Sequence, residues 1–347
     1  MTPSALRTHL LAGQVIPALP LALDEQRKWS QRHQRAVLRY YLDAGAGGIA
    51  VGVHSTQFTI RAPEHGLYEP VLALASATID DWLPEPRRPF ARIAGVCGRT
   101  EQALAEAETA AGHGYDAVLL SLGAWRDDDE EAIVTHCAAV AQRLPLIGFY
   151  LQPAVGGRRL SYRFWRSFAE IPAVVAIKIA PFNRYQTLEV VRAVIDSGRE
   201  DLALYTGNDD NIIVDLLTVF QHGGHERLIT GGLLGQWGVW TERAVALLDE
   251  IKRARAASQL SRDWLTRAAA LTDANAAVFD AANNFAGCLP GIHEVLRRQG
   301  LLVTTACLDP EEQLSPGQAA ELDRVIAAYP WLHDNAFVQA NLARWLG

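Results

Sequence analysis

The chain has 347 residues, 49% of them hydrophobic, enough to fill one large α/β barrel or two ordinary domains and too apolar for intrinsic disorder. The formal net charge is −7, arginine far outnumbers lysine, and no basic stripe with interleaved aromatics runs along a helical face, which excludes a nucleic-acid partner. Cys97, Cys137, Cys288 and Cys307 have no zinc or disulfide spacing, no stretch is long enough to span a bilayer, and the N-terminus lacks a sustained apolar leader, so a cytoplasmic protein with reduced thiols and no membrane partner is expected.

Along the chain, short continuous apolar runs alternate with longer amphipathic segments, the pattern of βα units around a parallel sheet whose two faces are both covered. Strands are predicted at 14–19, 48–53, 91–96, 117–122, 146–150, 174–179, 202–206 and 227–231. Helices are predicted between and after them at 25–43, 64–81, 100–113, 129–143, 161–170, 184–197, 210–221 and 241–257. Eight of each make a (β/α)8 TIM barrel, an α/β fold, over residues 1–257. Strand signals then stop, and helices at 264–285, 289–299, 316–328 and 337–345 form a C-terminal helical appendage over 258–347.

Only three lysines occur. Lys28 and Lys252 sit in charged, helix-like surroundings, whereas Lys178 lies in PAVVAIKIA, where the pattern places core. Burial disfavours the ammonium, so such a lysine keeps a free amine nearer neutral pH and can add to a carbonyl as a Schiff base. The plainer alternatives are a lysine that snorkels from a strand end or pairs with a carboxylate.

In a barrel the chemistry belongs at the C-terminal ends of the strands. Those ends carry His54, Ser55 and Thr56 after the second strand, Arg99 after the third, Trp125 after the fourth and Tyr150 on the fifth. Lys178 ends the sixth, Gly207, Asp209 and Asp210 follow the seventh, and Ile229 and Gly231 end the eighth. The run RDDDEE after Trp125 reads as a solvated helix start, and QHGGHE, with two glycines between its histidines, as a loop without a third metal ligand. The glycines of DAGAGGIAVG precede a strand instead of following one, which fails the context of a dinucleotide site.

Taken together, VIPALPL, IAGVCGRTEQALAEAETAAGHGYDAVLLS, FYLQP, VVAIKIA, TGNDD and LSPGQAAELDRVI, in this order and spacing, make the chain resemble the dihydrodipicolinate synthase / N-acetylneuraminate lyase family of class I aldolases. The resemblance implies that Lys178 forms an imine with a 2-oxo acid and that Tyr150 relays protons. It also implies that no cofactor or metal is needed and that the protein is a homodimer or homotetramer. Where the family carries Gly-Thr-Thr-Gly-Glu for the substrate carboxylate, this chain reads Val53-His54-Ser55-Thr56-Gln57, leaving Ser55, Thr56 and His54 as replacement donors. Trp125 stands where a second relay tyrosine is usual, and an indole only donates; it is also a candidate subunit contact. Val155 replaces the arginine of the lysine-biosynthetic enzyme, while Gly207, Asp209 and Asp210 match positions that hold sugar hydroxyls, and Ile229 and Gly231 complete the substrate-binding set. The expected activity is a class I lyase that cleaves or condenses a 2-oxo acid and releases pyruvate. The alternatives are a dehydratase of a deoxy-2-oxo sugar acid and a non-catalytic 2-oxo-acid-binding or regulatory barrel.

Overall fold

A computed structural model describes residues 1–84 and 87–347. Its strands are β1 (Val15–Pro17), β2 (Gly48–Val51), β3 (Ala91–Val96), β4 (Ala117–Leu120), β5 (Leu146–Leu151), β6 (Val174–Ala180), β7 (Ala203–Thr206), β8 (Val219–His222), β9 (His225–Leu228) and β10 (Gly231–Leu234). The helices are α1 (Pro3–Leu11), α2 (Gln31–Asp43), α3 (Tyr68–Trp82), α4 (Thr100–Gly112), α5 (Glu130–Val140), α6 (Tyr162–Ala169) and α7 (Arg184–Asp196). They continue with α8 (Ile212–Leu217), α9 (Thr241–Arg255), α10 (Asp263–Val278), α11 (Cys288–Arg298), α12 (Gln318–Ala328) and α13 (Asn335–Leu346). Eight strands form one sheet in the order β1-β10-β7-β6-β5-β4-β3-β2, and the fold is a (β/α)8 barrel with C-terminal helices. Two compact units divide the chain, residues 1–14 with 91–233, and 15–90 with 234–347.

In the first unit β3 to β7 are consecutive parallel neighbours. Nearly every residue of these strands is buried, which is why their sequences read as unbroken apolar runs rather than alternations. The registry between β5 and β6 slips once. Leu146 pairs with Val174 but Ile147 pairs with Ala176, so Val175 is passed over as a bulge and the pairing beyond it is Phe149 with Lys178 and Tyr150 with Ile179.

In the second unit β1 and β2 lie side by side, with Gly47 N donating to Val15 O at 2.9 Å and Leu19 N to Ala50 O at 2.8 Å. The C-terminal helices are stitched to α2 by a buried knot. The Tyr40 hydroxyl donates to Asp334 at 2.6 Å, Asp334 also accepts from Glu242 N at 3.1 Å and Gln299 Nε2 at 2.8 Å, and Trp345 covers the Tyr40 ring at 5.4 Å.

Three departures from the sequence reading matter. Helix α2 starts at Gln31 rather than at residue 25, because Asp24 accepts from Gln26 N and Lys28 N and turns the preceding segment non-helically. Helix α1 was not anticipated; Thr2 caps it and Pro3 opens it, both favourable at a helix start, but it is only nine residues long. The predicted helix at 210–221 stops at Leu217, and QHGGHE becomes the turn of an antiparallel hairpin in which Gly223 and Gly224 take φ of 58° and 82°. The last barrel strand is consequently Gly231–Leu234, not 227–231.

Candidate active site

Strand β6 carries Lys178 on the same face as its registry neighbour Phe149, and the ε-amine sits 4.4 Å from the centre of the Phe149 ring. The side chain is 8% exposed. Desolvation lowers its pKa to about 8 against the opposing pull of the Asp209 carboxylate, so about a tenth of the amine is unprotonated at pH 7, far more than for an ordinary lysine.

The end of β7 makes room for it. A Cβ at position 207 would lie 2.6 Å from Lys178 Cε and 2.8 Å from Ala180 Cβ, so glycine is required by close approach. Asp209, two residues farther on, is half-buried, and Asp210 is exposed.

A buried polar network fixes this loop. The fully buried Asp215 carboxylate on α8 accepts from Thr206 Oγ1 at 2.7 Å, Asn208 Nδ2 at 3.0 Å and Asn211 Nδ2 at 3.1 Å, and pairs with Arg184 at the start of α7. Asn208 in turn accepts from Phe182 N at 3.0 Å, joining the loops that follow β6 and β7. Asn208, Arg184 and Asp215 thus hold the two loops together, and of these Arg184 and Asp215 were not singled out from sequence. The available signal for Asp215 was a lone carboxylate inside the apolar run IIVDLL.

Trp125 lies against neighbours in its own unit. Its indole stacks on His136 at 4.5 Å, lies under the Arg99 guanidinium at 4.5 Å and donates to Gly98 O at 3.2 Å. His136 is buried, bonded to Thr100 at 3.0 Å and pushed down to a pKa of about 4 by desolvation, so it is neutral at physiological pH.

The sequence pattern of the Dihydrodipicolinate synthetase family matches residues 12–226, well over half of the chain. The chain belongs to that family. Among solved structures it is similar to dihydrodipicolinate synthase from Oceanobacillus iheyensis, at 16% identity and TM-score 0.73, covering 94% of this chain and 99% of that one. It is also similar to N-acetylneuraminate lyase from Fusobacterium nucleatum, at 15% identity and TM-score 0.70, covering 92% and 99%. A third is YagE, a prophage protein of the dihydrodipicolinic acid synthase family from E. coli K12 solved in complex with pyruvate, at 16% identity and TM-score 0.71, covering 91% and 98%.

Set against the residues expected from the family resemblance, the structure makes several corrections. Tyr150 does not share the face of Lys178. Its ring packs on Trp165 of α6 at 5.1 Å, and its hydroxyl donates to Leu160 O at 3.1 Å and accepts from Leu160 N at 3.2 Å. Gly148, two residues before it, points the same way, since a Cβ there would meet Phe168 and Trp165. The bulge at Val175 is the cause: with the spacing of the Leu146–Val174 pair continued, Tyr150 would stand beside Lys178, and the one-residue slip puts Phe149 there instead.

Ile229 and Gly231 move as well. With the last strand beginning at Gly231, both lie at its N-terminal end, opposite to where barrel chemistry is placed. Gly231 is glycine for packing, since a Cβ would meet Gln14 backbone atoms at 2.5 Å and 2.6 Å. In the second unit His54, Ser55 and Thr56 form a single 3₁₀ turn. The Thr56 hydroxyl is consumed there, donating to Leu19 O at 2.7 Å and accepting from Gly52 N at 3.0 Å, so it is a loop brace and not a carboxylate donor. Ser55 is buried, and His54 is half-buried with its ring 6.2 Å from Phe58.

Proposed function

We propose that this protein is a class I lyase that binds a 2-oxo acid as an imine on Lys178 and makes or breaks a bond next to the former carbonyl. The observation that carries this reading is the desolvated amine of Lys178, held against Phe149 with its pKa lowered to about 8. The neutral amine adds to the C2 carbonyl, the carbinolamine loses water, and the resulting iminium accepts the electron pair released when a neighbouring bond breaks. Retro-aldol cleavage releasing pyruvate is the preferred reaction. Dehydration of a deoxy-2-oxo sugar acid uses the same enamine, with the β-hydroxyl leaving instead of an aldehyde. Neither reaction draws on a cofactor or a metal ion. Asp209 and Asp210 are the proposed binders of substrate hydroxyls.

A second reading, a non-catalytic 2-oxo-acid-binding barrel, is favoured by one observation, the apolar Phe149 where a phenol relay was expected. Borohydride reduction in the presence of pyruvate, followed by intact mass and peptide mapping, tests the imine. An adduct on Lys178 that vanishes in Lys178→Ala supports both readings, and turnover of an aldol or hydroxy acid separates the enzyme from the sensor. No adduct with pyruvate or larger 2-oxo acids removes the class I assignment. A cytoplasmic homodimer or homotetramer is the proposed setting, to be checked by sedimentation of the purified protein. Among the described residues no helix is long and apolar enough to cross a membrane.

A further inference from the structure

Turning Tyr150 away leaves the proposed imine without its expected acid–base partner. Phe149 has no proton to give, and the phenol on β7, Tyr205, is committed elsewhere. Although Tyr205 pairs in register with Lys178, its hydroxyl donates to Leu10 O at 2.8 Å and accepts from Gln14 N at 3.1 Å, which anchors it to the N-terminal segment.

We infer that Asp209 is the general acid–base of this site, doing at the Lys178 imine what the displaced phenol was expected to do. The inference rests on the imine reading above. Three features of the first unit support it. The loop leaves β7 in close contact with the Lys178 side chain at Gly207, and Asp209 follows two residues later in that same loop. The loop is not left to find its own position, because Asp215, Arg184, Thr206 and Asn208 clamp both strand ends. Asp209 also acts electrostatically on the amine, opposing the effect of burial.

The step balances without a co-reactant. The Asp209 carboxylate takes a proton from C3 of the iminium, the C3–H electron pair becomes the C2–C3 double bond, and the C2–N π pair returns to nitrogen as the enamine lone pair. In the reverse direction the protonated carboxyl returns the proton to C3.

Exchange of the pyruvate methyl protons in D₂O, followed by NMR, reads this proton transfer, and borohydride trapping reads the imine independently. The panel is wild type, Asp209→Asn, Asp209→Glu and Tyr150→Phe. In Asp209→Asn, exchange is expected to slow by about 10²-fold or more, within the usual range for a lost general base. Trapping at pH 7 should persist or rise, because removing the carboxylate lets the amine shed its proton more readily. A disrupted fold would lower both readouts together. Asp209→Glu should recover part of the exchange, and Tyr150→Phe should match wild type in both assays. Full exchange in Asp209→Asn, or its loss in Tyr150→Phe with trapping intact, overturns the assignment while leaving the imine reading in place. Wild-type trapping without exchange overturns it in favour of the sensor, and absence of a wild-type adduct removes the imine reading and this inference together.

Discussion

An ammonium at the position of Lys178 loses most of its hydration and receives in return a ring face and one carboxylate charge. Adduct formation with pyruvate should therefore climb with pH to a plateau, half-maximal near pH 8, when the trapping rate is measured between pH 6 and 10. The same shift has a consequence for stability. The folded pKa lies below the ordinary lysine value of 10.5, so between about 8 and 10.5 the unfolded chain holds more protons and stability rises with pH. Below about 8 both states are protonated and the folded state bears the whole cost. Denaturation of wild type and Lys178→Met at several pH values should show the difference moving in favour of wild type across that window and nowhere else. Gly207→Ala adds a methyl where Lys178 and Ala180 already stand within 2.8 Å; a loss of about 1–3 kcal/mol and slower trapping are expected.

At the scale of elements, one bulged residue decides which aromatic meets the lysine. Strand side chains alternate, so a slip of one residue exchanges the faces of Phe149 and Tyr150. The spacing of FYLQP and VVAIKIA shows that the two strands are neighbours, yet it contains no mark of the bulge, because Val174 and Val175 are equally suited to either registry. Tyr150→Phe should accordingly cost only about 1 kcal/mol in urea unfolding, the value of its bonds to Leu160. The loop after β7 carries a larger penalty. Asp215→Ala strips the acceptor from Thr206, Asn208 and Asn211 at once, and a loss of about 3 kcal/mol is expected, with slower trapping because the loop beside Lys178 is released. The hairpin was within reach of the sequence, since two glycines between strand-forming residues are a tight-turn signal, but the helix predicted at 210–221 runs over its first strand and leaves QHGGHE as a plain loop.

At the scale of the whole molecule, the C-terminal helices are held by side chains remote in sequence. Tyr40 on α2 meets Asp334 and Trp345, about 300 residues later, and Trp345 is fully buried with its indole donating to Asp43 at 2.5 Å. Trp345→Ala should remove about 3–5 kcal/mol, measured by chemical denaturation. The appendage is thus bound to the barrel's own helices by buried contacts and is not a flexible tail.

The sequence by itself determined the barrel and the lysine. Continuous apolar runs separated by amphipathic helices leave few architectures other than a parallel sheet covered on both faces, and a lysine inside such a run must be desolvated wherever the strand lies. Tertiary structure alone decided which side chains share the lysine's face, that Thr56 braces its loop, that the last strand begins at Gly231, and that Asp215 fixes the segment carrying Asp209. Those outcomes depend on registry, strand origin and contacts between distant segments, and local periodicity is blind to all three because a strand with both faces buried has the same composition in either phase.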